Sequence, residues 1–268
     1  MRVVLALLIF AVFSWAEDTF NGSVEIFSID SNYAGELKIN DKTTAWLDHP
    51  TQDGVKIAII PIGYYAKDDI NITNSLNNQS NLTILKVKQK NYKKESITVA
   101  PAKVNPPKSV MNRIEKERKE AIEIYKTFSP NLLVNSEFIS PMSSFITSEY
   151  GNARVFNGSI KSYHSGVDYR AAIGQKVVSA NDGIVRIAKD RYYAGKSVVI
   201  DHGGGIYTQY YHLDRIDVKV GQKVTKGEKI GLSGASGRVS GPHLHFGIIV
   251  RNTQVDPLIF IEKFNSIF

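Results

Sequence analysis

A mainly β protein is what this sequence predicts, and three features predict it. Short runs rich in β-branched and aromatic residues recur along most of the chain. Glycines and polar turns separate them, and a single stretch carries a helical period. Dense short strands joined by glycine turns favour an antiparallel core. The expected architecture is therefore a β-sandwich-like C-terminal domain preceded by a small β domain and a linker helix.

Taken in order, the chain opens with Arg2, an apolar run over residues 3–12, and small residues at Ser14 and Ala16. That pattern is a secretory leader, expected to be cleaved after Ala16 and to export the protein. The run is shorter than the ~20 residues that span hydrocarbon, and no later segment is apolar enough to do so. Residues 17–105 alternate as β runs, with strands expected over 23–29, 54–60 and 82–88 and an exposed Asn/Ser-rich loop over 68–81. Within that loop, Asp69-Ile70-Asn71-Ile72-Thr73 resembles a bacterial N-glycosylation sequon centred on Asn71. Pro106 and Pro107 close this region. From there to Pro130 the period changes: Val110, Ile114, Ala121, Ile122, Tyr125 and Phe128 share one helical face, and opposite charges three or four apart fill the other. Residues 106–130 thus read as a linker helix, its apolar stripe packed on a neighbouring domain. Residues 131–268 return to strand and turn, with strands expected over 177–180, 183–187, 197–200 and 207–211.

Composition narrows the chemistry. With no cysteine, neither a disulfide nor a thiol nucleophile is available. A net charge of +7 favours an acidic partner, but the basic residues are scattered and the chain is expected to be exported. A cell-wall polymer or an anionic membrane surface therefore ranks ahead of nucleic acid.

Histidine carries the strongest signal. Five of the six histidines lie between His164 and His245. His243 and His245, two apart on a strand, project from one face. His164 and Asp168 are four apart, with Gly166 between them permitting a tight bend. His212 sits in Tyr211-His212-Leu213. Imidazoles with one carboxylate form a donor set suited to zinc, and catalytic zinc sites keep three protein ligands and an open position. His164, Asp168, His212, His243 and His245 are two too many, which leaves two imidazoles for proton transfer and transition-state stabilisation. Spacing alone leaves open which three bind. His202, before three glycines, reads as structural or peripheral at a hairpin tip, and His49, beside Pro50, as a surface turn residue.

Residues 146–261 resemble the M23 peptidase domain of the LytM/lysostaphin family. The matching elements include Ser148-Glu149-Tyr150-Gly151, His164-Ser165-Gly166-Val167-Asp168, Tyr211-His212-Leu213 and Gly241-Pro242-His243-Leu244-His245-Phe246. The resemblance implies one zinc ion held by His164, Asp168 and His245, with His212 and His243 as the catalytic pair. It also implies a groove that takes an extended peptide, and peptidoglycan peptide stems as substrate. A member with a leader but no lipobox cysteine, no wall-binding repeat and a β domain ahead of the peptidase domain is expected to be a Gram-negative periplasmic one. It is expected to cut D-Ala–meso-diaminopimelate cross-links as a D,D-endopeptidase, with D,D-carboxypeptidase trimming as a second activity. The N-terminal region covers the groove in related multi-domain members, so a regulatory role for residues 17–105 follows from the same resemblance. The alternative class is a non-enzymatic LytM-type regulator that binds peptidoglycan or activates an amidase; its sign is a missing ligand, and none is missing. A lipoyl-type carrier reading of residues 218–231 fits neither the histidines nor the leader.

Overall fold

The structure, a computed structural model, describes residues 15–158 and 160–268 and is mainly β. The expected leader lies outside the described residues except for Trp15 and Ala16, which open the strand Trp15–Phe20. Among the described residues, no helix is long and apolar enough to cross a membrane.

The C-terminal half is built on a ten-stranded sheet. Its main path runs Ile146–Ser148, Val167–Arg170, His243–Val250, Ile206–Ile216, Gly195–Asp201, Gly183–Arg191 and Lys223–Val224, each antiparallel to the next. One face of it carries Val167, Val185, Val198, Tyr210, Leu244, Phe246 and Ile248 into the main core. The helix Pro257–Asn265, capped at its start by the Asp256 side chain, adds Phe260 and Phe264 to that core. The opposite face receives the expected linker helix, observed as Lys108–Lys126 and here called α1. Ala121, Ile124 and Tyr125 of α1 pack on Ile187, Val199, Tyr207, Tyr211 and Ile249, so its apolar stripe lies on the C-terminal sheet.

The N-terminal strands form a five-stranded sheet and a three-stranded sheet, the latter composed of Val24–Asp30, Val55–Pro61 and Leu47–Asp48. Alternation divides the three-stranded sheet between two cores. Ala58 and Ile60 join Leu37, Ile70 and Leu85 in a local cluster, while Ile57 and Ile59 join Val24 and Leu47 in the main core. Beyond it, Lys94–Ile97 runs parallel to Ala153–Phe156 in a third sheet. A strand and a share of the core thus cross the boundary expected at residues 105–106.

Two local expectations change. Residues 68–81 are not a loop but the hairpin of Ile70–Leu76 with Gln79–Lys88. Ile70 and Ile72 point inward between polar neighbours, and Asn77 and Asn78, both at positive φ, make the two-residue turn that fits a twisted hairpin. Asn71 is an exposed strand residue. His49 is buried rather than on the surface, and its Nδ1 accepts from the Thr51 and Gln52 backbone N–H groups at 3.2 and 3.1 Å. His202 takes the structural one of its two expected roles: it is wholly buried against Phe138, with Nδ1 2.6 Å from the Asp182 carbonyl and Nε2 2.7 Å from Thr208 Oγ1.

Burial pushes the His202 imidazole down to about 4. The unfolded chain, in which it titrates near 6.5, therefore takes up the proton first, and stability is lost as pH falls from about 6.5 towards 4. Each tenfold difference in proton affinity between the two states is worth about 1.4 kcal/mol, so the loss approaches ~3 kcal/mol. Urea unfolding across that range is expected to show a steeper acid slope in the native protein than in His202→Asn. The shared core makes a second outcome specific: Ile57→Ala is expected to cost ~2–5 kcal/mol. It should lower the midpoint of one cooperative transition rather than of an N-terminal transition alone, as read by calorimetry.

Candidate metal centre and cleft

Strand register assembles the site. Ser148 faces Asp168, Asp168 faces His245, and His245 faces Tyr211, so four adjacent strands place these residues in one row across the sheet. Because side chains alternate along a strand, His243 shares the face of His245 while Leu244 and Phe246 enter the core. His164 arrives from the turn before Val167–Arg170. That turn passes so close to the next strand that a Cβ on Gly166 would lie 2.3 Å from the Phe246 carbonyl oxygen and 2.8 Å from His245 Nε2. The requirement for glycine is thus close approach, not the unusual φ that a tight bend would suggest.

The result is a convergence of three donor atoms. His164 Nε2 lies 2.9 Å from Asp168 Oδ1 and 3.0 Å from His245 Nδ1, and His245 Nδ1 lies 3.0 Å from Asp168 Oδ1. All three residues are buried, and they form a cluster able to hold a metal ion. Tetrahedral zinc bonds of ~2.0–2.2 Å set ligand atoms about 3.3 Å apart, so the separations suit one small cation. His164 Nδ1 donates to the Glu149 carbonyl at 2.8 Å, which leaves the Nε2 lone pair turned inward. Burial alone would push the Asp168 carboxyl up, yet His164 and His245 beside it hold it well below the usual carboxylate range. Burial takes the His245 imidazole down to about 4, which keeps it neutral, the form a metal binds. The residues present fit a metal ion.

His212 and His243 stand beside this cluster, their rings 4.9 Å apart. His212 reaches that place through an irregularity. Val198 faces Tyr210 and Lys196 faces Leu213, so Tyr211 and His212 together oppose Ser197 in a β-bulge. His212 takes φ +64°, and its ring meets those of His243 and His245 although its neighbour Tyr210 enters the core. Its Nδ1 donates to the Ser236 carbonyl at 2.8 Å, and His243 Nδ1 donates to the Gly241 carbonyl at 2.9 Å. Each Nε2 is left free for chemistry, that of His243 lying 3.7 Å from Asp168 Oδ1. Burial, then the neighbouring His243 and His245, holds the His212 imidazole well below its ordinary value. The five residues singled out from the sequence are therefore brought together.

Other residues at the site carry little or no sequence signal. Arg154 Nη2 donates to Asp168 Oδ2 at 2.7 Å, Ser148 Oγ lies 3.1 Å from His164 Nδ1, and Glu95 contacts both Arg154 and Ser148. Tyr211 stacks on His245 at 5.3 Å. The cluster opens on a cleft of about 760 Å³ lined by Tyr64 and Tyr65 of the N-terminal region, by Ile114, Arg118 and Ile122 of α1, and by Arg191 and Arg238. Arg238 lies over the rings of Phe156 and Tyr193 at 4.4 and 4.7 Å, and Arg191 Nη2 is buried without a hydrogen-bond partner. Neither forms an ion pair among the described residues.

Residues 162–257 match the family model "Peptidase family M23". Over 95 residues, 35% of this chain, the sequence is 48% identical to the peptidoglycan DD-endopeptidase ShyA of Vibrio cholerae and 36% identical to the DD-carboxypeptidase/endopeptidase Mpg of Neisseria meningitidis. The match spans 22% of the length of each of these relatives. A crystal structure from Pseudomonas aeruginosa assigned to peptidase M23 is similar over far more of the molecule. It covers 91% of this chain and 95% of its own, at 27% identity and a TM-score of 0.68.

Gly166→Ala tests the close approach. The added methyl has no room against the Phe246 backbone, so the turn must shift and carry His164 with it. Zinc affinity, measured by competition with a chromogenic chelator, is expected to fall at least tenfold, on the order of a lost supporting contact at a metal site.

Proposed function

We propose, on the match of residues 162–257 to the model of peptidase family M23, that this chain is a zinc-dependent endopeptidase of peptidoglycan cross-links. The observation that carries the reading is the complete constellation: three buried donors converging within 3.0 Å, with two further imidazoles whose Nε2 atoms are free. His164, Asp168 and His245 would hold a zinc ion, which when bound would supply Lewis-acid polarisation of the scissile carbonyl and activation of water near neutral pH. The remaining steps belong to the chain. Backbone carbonyls fix the tautomers of His212 and His243, so one Nε2 takes the proton of the attacking water. The other imidazole stabilises the oxyanion in its protonated form, with Nε2–H donating, and the proton taken from water passes to the departing amine nitrogen as the C–N bond breaks.

The cleft supports the substrate class. Its size suits a short extended peptide, and Arg238, which forms no ion pair among the described residues, suits a carboxylate of a peptide stem. The named activities of ShyA and Mpg favour a D-Ala–meso-diaminopimelate bond, cut within a cross-link or at the end of a pentapeptide. A leader over residues 1–16 would place the enzyme in the periplasm, where that polymer lies.

The test is digestion of purified, cross-linked diaminopimelate-type muropeptides. Conversion of dimers to monomers should stop with chelator, return with added zinc, and fall by at least 10²-fold in His243→Ala, as expected for loss of an acid–base or oxyanion group. Absence of cleavage in the zinc-loaded protein would overturn the reading in favour of a wall-binding or amidase-activating role.

A further inference from the structure

Glu95 lies outside the family match and on an N-terminal strand, Lys94–Ile97, yet its carboxylate sits behind the metal centre. It is about three-quarters buried, with 25% of its side chain exposed. Four contacts engage it. Oε1 accepts from Asn152 Nδ2 at 2.6 Å and from Ser148 Oγ at 2.9 Å, while Oε2 accepts from Ser148 Oγ at 3.1 Å and Arg154 Nε at 3.2 Å. Two of these partners go on to metal-ligating residues. Arg154 Nη2 donates to Asp168 Oδ2 at 2.7 Å, on the oxygen not turned to the cluster, and also to Ser148 Oγ at 2.9 Å. Ser148 Oγ in turn lies 3.1 Å from His164 Nδ1.

We propose that Glu95 is a positioning residue for the metal centre, supplied by the N-terminal region to hold Arg154 and Ser148 against Asp168 and His164. The inference rests on the metal-binding reading above and not on which bond is cut. The physical argument is one of charge and rotamer. An arginine has several staggered conformations and loses its entropy only where partners fix the guanidinium fork. Asp168 alone fixes one end of Arg154; Glu95 fixes the other, so the carboxylate oxygen that faces the cluster is held in orientation. The Ser148 hydroxyl is held the same way, by a carboxylate on one side and the His164 ring on the other. Partners of this kind, one bond removed from the ligands, typically change metal affinity by about 10–100-fold. Pairing of Lys94–Ile97 with Ala153–Phe156 fixes the register: Glu95 is directly opposite Arg154. A slip of one residue would put Lys94 or Ser96 there.

This places the N-terminal region in a supporting role at the site. A chain beginning near Leu133 would lack Glu95, so removing residues before it is expected to weaken the centre rather than release an inhibited one. The test uses the full-length chain. Zinc affinity is measured by chelator competition, without substrate, beside the melting temperature of the metal-free protein, in Glu95→Gln, Glu95→Ala and Asn157→Gly. Asn157 is the control. Its side chain ties the same small sheet to Val99 through bonds of 2.9 Å at both Nδ2 and Oδ1, without touching a ligand or its partners, and glycine keeps its positive φ. The expected result is a weakening of about tenfold in Glu95→Gln and towards 100-fold in Glu95→Ala, with Asn157→Gly within about twofold of native despite a comparable fall in melting temperature. Unchanged affinity in a folded Glu95→Ala protein overturns the proposal. So does an equal loss in Asn157→Gly, which would trace the effect to general loosening of the sheet. Failure of muropeptide hydrolysis with these affinities as expected would count against the substrate and leave the role of Glu95 standing.

Discussion

The register of one strand between its two neighbours is the constraint on which the rest of the site depends. His243–Val250 sits between Val167–Arg170 and Ile206–Ile216, and the pairings Asp168 to His245 and His245 to Tyr211 follow from that alignment. A slip of one residue against either neighbour would turn both histidines into the core and Leu244 and Phe246 out of it. The apolar demand of the core and the polar demand of the metal cluster are therefore met by a single alignment. Leu244, Phe246 and Ile248 are fully buried on one face, and His245 faces Asp168 on the other. Packing energy, which costs nothing to chemistry, holds the donor atoms close together before any ion arrives.

Against that regular frame, two irregular features serve the same small volume. The bulge at Tyr211–His212 brings the His212 ring beside His243 and His245, at the cost of a left-handed backbone in a bulky residue. Gly166 lets the turn carrying His164 approach the adjacent strand more closely than any side chain would allow. Elsewhere the sheet is irregular too, as the register shift in Gly183–Arg191 shows, but that shift lies outside the cluster.

Much of this is legible in the residues, and the reasons for the rest are physical. His243 and His245 declare themselves because a period of two is the simplest statement a strand can make. The stripe of Ala121 and Tyr125 declares α1 in the same way. The Asn-rich stretch misleads because its composition masks its alternation: Ile70 and Ile72 carry the strand signal, and Asn77-Asn78 is its turn. His212 is found by its neighbours in sequence, but its orientation is not, since alternation from Tyr210 would predict a side chain it does not present. His49 shows the limit from the other side, because a histidine beside proline gives no sign that its ring is buried. Glu95 leaves no trace at all. Its partners Ser148, Asn152 and Arg154 lie more than fifty positions away, and nothing in a lone glutamate on a polar strand distinguishes it from a solvated one.

The parallel pairing of Lys94–Ile97 with Ala153–Phe156 also orders events in time. The two strands are joined by a long excursion, since Glu95 and Arg154 are 59 positions apart, and α1 must be laid down between them. A chain that emerges from its amino end makes the first strand well before its partner exists, and the partner before His212, His243 or His245. Its edge must wait, unpaired, while the intervening segment collapses onto a sheet that has itself not yet formed. Closing so distant a contact is slow by topology alone. A metal that binds only the finished cluster would then act as a late clasp, and its mass action would draw the whole assembly towards completion.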